Sequence, residues 1–141
     1  MLKKVMYQLP ASGELAYYSN PNMVESLEMA TELVRLSERS ASFFGEDKEL
    51  IGCVGYMRHM QHRVEMWSAL SKNSGPYMLS LTRMGHRFLK DIDAERIECF
   101  VKYGYTLGNR WAELLGFKKE AVLRSITPKT DYTVYSIIKE I

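Results

Sequence analysis

At 141 residues the chain suits one domain, and a core at that size buries roughly two-thirds of the unfolded surface, so no covalent staple is required. Its 46% hydrophobic and 26% charged residues fit an ordinary globule, and a formal charge of +2 argues for neither nucleic acid nor an acidic partner. Nothing reads as a membrane span or secretory leader: "MLKKVMYQLP" has lysines but no long apolar run. Cys53 and Cys99, far apart and without CxxC spacing, read as reduced core thiols, so a reducing cytoplasm, the protein's own or a host's, is expected.

No internal repeat or low-complexity tract interrupts the chain. Residues 3–8, "KKVMYQ", predict a short first strand. "SNPNMVESLEMATELVRLSERS" predicts a helix capped by Asn20 or Asn22, with Pro21 in its first turn and Glu25 and Glu28 near its positive end. Val24, Leu27, Ala30, Leu33 and Val34 form its apolar stripe, and Arg35 to Ser42 marks the exit. "ASFFGEDKELIGCVGYM" predicts strand, turn and strand. "YMRHMQHRVEMWSAL" fits helical and strand spacing alike; the reading adopted is a hairpin turning around His59 to Arg63.

From Ser74, Gly75 and Pro76 a helix is expected, with Tyr77, Leu81, Met84, Phe88 and Ile92 as its stripe. In "ERIECFVKYG", Ile97, Cys99 and Val101 alternate with Arg96, Glu98 and Lys102, the pattern of a half-buried strand. A short helix follows, with Leu107, Trp111, Leu114 and Leu115 inward and Gly116 just past its end. Two strands, near 117–126 and 131–139, close the chain around a turn holding Pro128.

That ending resembles the GNAT superfamily of acetyltransferases. The matching residues are Ile97 to Val101 as fifth strand, Gly108 to Leu115 as fourth helix, Leu115-Gly116-Phe117, and the closing "DYTVYSIIK". Upstream, "LIGCVGYM" is similar to the second-to-third strand region, "VEMWSALSK" to the fourth strand and "SGPYMLSLTRMGHRFL" to the cofactor-binding helix. The resemblance implies an α/β (α+β) fold, a twisted, mainly antiparallel sheet flanked by helices. It also implies an acetyl-CoA slot where the fourth and fifth strands splay, and N-acetyl transfer to an amine. The short chain, Trp67 and the Arg110-Trp111 pair also resemble small GNAT-like proteins of tailed phages, some of them virion or assembly proteins. Such a member would act by binding a protein partner, and homo-oligomers are compatible with either role.

The resemblance carries site residues with it. The backbone of Met66, Trp67, Ser68, Ala69 and Leu70 would contact pantetheine and the thioester oxygen. The family's glycine-rich pyrophosphate loop falls on "LSKNSGPYML", where one glycine and a proline stand. Lys72 and the amides of Ser74 and Gly75 remain to cradle an anion, and Asn109 could reach the cofactor from its helix start. The family's usual Asn and Tyr fall on Tyr105 and Ala112. Glu98 and Glu65 are then candidate general bases, and Tyr105 or Tyr103 a displaced acid. The alternative is surface charge for the glutamates and packing for the tyrosines. Trp67 has two readings, cleft lining and core.

Arg58, His59, His62 and Arg63 read as a basic hairpin tip rather than a metal or nucleic-acid site. Arginines repel a cation, a zinc ion would lack ligands, and the chain has no continuous basic stripe.

Overall fold

The computed structural model describes residues 33–70 and 74–140. The expected first strand and most of the first helix, including Val24, Leu27 and Ala30, lie outside the described residues. Residues 33–36 are helical, and Leu33 is buried beneath them. The chain then turns to strand earlier than expected. Arg39–Phe44 is β1, so the hydroxyl-rich run read as a helix exit is strand instead. Ser40, Ser42 and Phe43 there pair with the small residues Gly55, Cys53 and Gly52 of the next strand, and cross-strand packing overrides weak helix propensity.

The strands that follow are β2 (Leu50–Met60) and β3 (Arg63–Leu70), a hairpin turning at Gln61 and His62 as expected. A 3-10 turn over Gly75–Tyr77 leads into α1 (Met78–Lys90). After β4 (Arg96–Lys102) come α2 (Thr106–Leu114), β5 (Lys118–Thr127) and β6 (Thr130–Ile138). The sheet order is β1-β2-β3-β4-β6-β5. Every neighbouring pair is antiparallel except β3 with β4, which α1 joins by a crossover.

The two helices pack on one face of this sheet. Leu81, Phe88 and Leu89 of α1 and Trp111 and Ala112 of α2 meet Val64, Met66, Ile97, Cys99 and Val101. Trp111 Nε1 donates to Thr82 Oγ1 at 3.1 Å and so ties α2 to α1. Lys139 Nζ donates to the Leu89 and Ile92 carbonyls at 2.7 and 2.6 Å, closing the negative end of α1.

The inward face of α2 differs from the expected stripe. Leu107 and Leu114 are exposed, and Gly108, Trp111, Ala112 and Leu115 face the core. Small residues at 108 and 112 let the helix axis approach β4 closely, and the bulkier leucines rotate outward. The helix stops as expected. Gly116, at φ 101°, donates to the Glu113 carbonyl, and Phe117 donates to that of Ala112, both at 3.0 Å. This paired closure requires a left-handed residue, which glycine adopts without a Cβ clash.

Candidate functional site

The one parallel pair in the sheet is short. Its ladder runs from Arg63↔Arg96 through Val64↔Ile97 to Glu65↔Glu98, although both strands continue well beyond it. Past that last rung β3 stays with β2 while β4 stays with β6, so the two separate. The opening is a cleft with about 320 Å³ of atom-free space, part of it open to solvent. Met66, Trp67 and Ser68 form its β3 wall, Cys99, Phe100 and Val101 its β4 wall. Gly108, Trp111, Ala112, Leu115 and Phe117 close it from α2 and the turn after it. Three consecutive residues of each strand line it.

A mainly antiparallel sheet whose parallel pair opens into a V-shaped, apolar gap beside two helices decides the architecture. This is the GNAT acetyltransferase fold.

Comparison with solved structures agrees. A GNAT-family acetyltransferase from Bacillus anthracis superposes with a TM-score of 0.64 at 14% identity, over 95% of this chain and 86% of that one. A point mutant of spermidine N-acetyltransferase from Vibrio cholerae gives 0.62 at 16% identity, over 97% and 89%. Ribosomal-protein-S5-alanine acetyltransferase from Vibrio fischeri gives 0.59 at 18% identity, over 86% and 73%. No protein-family model and no curated protein matches the sequence. β3 and β4 are the strands on which the sequence resemblance places the family's fourth and fifth.

Of the residues singled out from the sequence, Met66, Trp67 and Ser68 lie on the cleft wall, and Ala69 and Leu70 continue β3 toward its wide end. Trp67 satisfies both of its readings. It lines the cleft, is buried, and donates from Nε1 to Ser37 Oγ at 2.7 Å. Its ring lies flat on Gly55, where a Cβ would come within 2.6 Å of ring carbons. Only glycine permits that stacking.

Lys72 lies outside the described residues. Ser74 is buried and Gly75 exposed at the start of the 3-10 turn. The turn uses amides that a helix start ordinarily leaves free. Tyr77 N–H goes to the Ser74 carbonyl at 2.9 Å, Met78 N–H goes to that of Gly75, and Pro76 has none. Asn109 is also engaged internally. Its amide donates to the Tyr105 and Lys102 carbonyls at 2.6 and 3.2 Å, and its Oδ1 accepts from Tyr135 Oη at 2.7 Å. Tyr105 is the N-cap of α2, with its ring against cleft residue Gly108, and Tyr103 is exposed.

Glu65 and Glu98 are buried, not surface charges, and they face each other across the last rung. Their surroundings differ. Arg96 Nε donates to Glu98 Oε1 at 2.8 Å. Arg63 Nε lies 3.1 Å from the same oxygen, close enough for charge pairing but not aligned for a hydrogen bond. Arg96 also grips Glu120 with both guanidinium nitrogens, at 2.6 and 2.9 Å. That fork, helped by the Ser136 hydroxyl, holds the Glu120 carboxyl down at about 2.

Glu65 instead shares a hydrogen bond with His59, Nε2 to Oε1 at 2.7 Å. The sequence reading placed His59 at a hairpin tip and did not join it to Glu65; the join depends on a bulge that no residue type announces. Burial raises both thiols, Cys53 to about 12, with the charges of Glu65 and Glu98 adding to the effect at Cys99. No cluster of three or more His, Cys, Asp or Glu residues fit to hold a metal occurs among the described residues. No helix among them is long and apolar enough to cross a membrane.

Proposed function

We propose that the chain is a cytoplasmic N-acyltransferase that moves the acetyl group of acetyl-CoA onto an amine of a small molecule or protein. The observation that carries this is the parting of β3 and β4 after their last rung. It leaves strand backbone beside an apolar slot, and an amide-bearing pantetheine arm fits such a slot as an added strand would. Met66 to Ser68 would hold that arm and present N–H groups to the thioester carbonyl. Acetyl-CoA supplies the activated acyl carbon and a thiolate leaving group.

Glu65, not Glu98, takes the proton from the acceptor ammonium in this reading. Glu98 already neutralises two guanidinium groups, whereas Glu65 is paired with the His59 imidazole. Tyr105, whose ring lies against Gly108 of the cleft, would return a proton to sulfur in this reading.

One observation favours a second reading. The start of α1 has spent the Tyr77 and Met78 amides internally and carries Pro76, so it offers little to a pyrophosphate. A chain of this kind would keep the fold and act by binding a protein, as in a phage virion, in assembly or against a host factor.

Calorimetric titration of acetyl-CoA separates the two. Micromolar binding together with amine-dependent thiol release supports transfer. No heat at millimolar acetyl-CoA sinks it and leaves the binding role.

A further inference from the structure

Acyl transfer to an ammonium leaves a proton over. Of the three N–H protons on R–NH3+, one stays on the amide nitrogen, one ends on the thiol sulfur and one must leave. Meanwhile the C–N bond forms and the C–S bond breaks. In a cleft with apolar walls that last proton needs a route to water.

We propose that His59 is this route: a positioning residue that holds Glu65, takes the proton from its carboxyl onto Nε2 when the ring carries its own proton on Nδ1, and releases that Nδ1 proton to solvent. The proposal rests on the acyl-transfer reading of the cleft. Contact comes first, with His59 Nε2 at 2.7 Å from Glu65 Oε1. Burial then falls along the pair, from a Glu65 side chain 12% exposed to a His59 side chain 38% exposed. The inner member sits at the apex of the cleft and the outer one meets water.

The third observation is the β-bulge. The β2–β3 register passes from Arg58↔Val64 to Met60↔Arg63, so His59 is an inserted residue with no one-to-one partner. An insertion of this kind re-aims a side chain, and here it brings the imidazole beside Glu65 instead of opposite Arg63. A residue needed only for pairing would not require the extra position.

The charged and titratable groups around the pair assign the task to the imidazole. Arg63 lies on the same strand as Glu65, and Glu98 and Arg96 lie on β4 with Glu120 behind them on β5. The Cys99 thiol of β4 also feels the Glu65 charge, and Met57, opposite Glu65 on β2, carries none. Guanidinium groups do not release protons near neutral pH, and a buried thiol does not either. An imidazole ordinarily exchanges its proton in that range.

Two substitutions test this in the full chain. His59→Gln keeps a donor for Glu65 but cannot relay a proton, and His59→Ala removes both functions. Thiol release would be followed with acetyl-CoA and n-butylamine, and with water as sole acceptor, from pH 5 to 8. The expected result is a kcat loss on the order of 100-fold in both variants, with KM for acetyl-CoA unchanged and added imidazole restoring His59→Ala. His59→Gln turning over like the wild type at every pH would overturn the proton exit and leave the transfer reading standing. Acetyl-CoA binding without thiol release to either acceptor, or no binding, removes both.

A readout without turnover is the 15N spectrum of the imidazoles. The His59 Nε2 signal should report a nitrogen hydrogen-bonded to the carboxyl in the wild type and shift in Glu65→Gln, while His62 stays as it was. An unchanged His59 signal overturns the pairing on which the route depends.

Discussion

Around β3 and β4 both faces of the sheet are buried, and they are built from opposite materials. The helix-covered face stacks Val64, Met66, Ile97, Cys99 and Val101 against α1 and α2. The other places Glu65 and Glu98 on the same rungs, with Arg63, Arg96, Glu120 and His59 around them. The first face is held by area removed from water, and each side chain contributes in proportion to what it covers. The second is held by matched partners, and removing one member leaves another buried without its counter-charge. Under the proposed transfer the apolar side would fix the cleft and the polar side would move protons.

The largest expected effect is on the apolar face. Trp111→Ala removes a buried indole that touches both helices and the cleft, and it deletes the bond to Thr82. Urea unfolding should show a loss of about 3–5 kcal/mol. A loss below about 1 kcal/mol would mean that α2 does not depend on this contact, and the apolar face would lose its claim to rigidity.

Next comes the polar face. Glu98→Gln preserves shape but leaves Arg96 and Arg63 without a carboxylate at the apex. Both guanidinium groups keep some access to water, so the expected destabilisation is about 1–3 kcal/mol, below that for a fully enclosed pair. Thiol release should survive this change in proportion to the folded fraction if Glu65 is the base. Glu65→Gln should abolish turnover at nearly unchanged stability. Equal behaviour of the two variants would erase the distinction between the carboxylates.

The sequence read differently on the two faces for the same reason. Alternation in "RIECFVK" identifies Ile97, Cys99 and Val101 as core, because apolar burial follows period two on a strand. It also predicts Glu98 as exposed, and fails there, since whether the opposite face is covered depends on what packs over it. The stop at Gly116 was legible because a left-handed cap favours one residue type. The rotation of α2 was not: Leu107 and Leu114 look like core residues until Gly108 and Ala112 are seen to decide how closely the helix approaches. At the site, the strand backbone of Met66 to Ser68 came from the family pattern. His59 with Glu65 came only from the register, where one inserted residue changes a neighbour.

The smallest effect lies at the rim of the polar face and carries a sign. The Arg96 fork and the Ser136 hydroxyl lower the folded Glu120 carboxyl from 4.5 to about 2. A depressed carboxyl stabilises the fold above its unfolded value, and that contribution fades as pH falls from about 4.5 toward about 2. The Glu120 side chain is 37% exposed, so solvent screening limits the contribution to about 1 kcal/mol or less, far under what the shift alone would give. Glu38, held down to about 2 by Arg58 and then Tyr56, titrates in the same window and must be removed first. In a Glu38→Gln background, adding Glu120→Gln should lower stability at pH 6, leave it nearly unchanged at pH 2, and shrink in molar salt. A loss of equal size at both pH values would show that Glu120 acts through packing, and the polar face would end at Glu98.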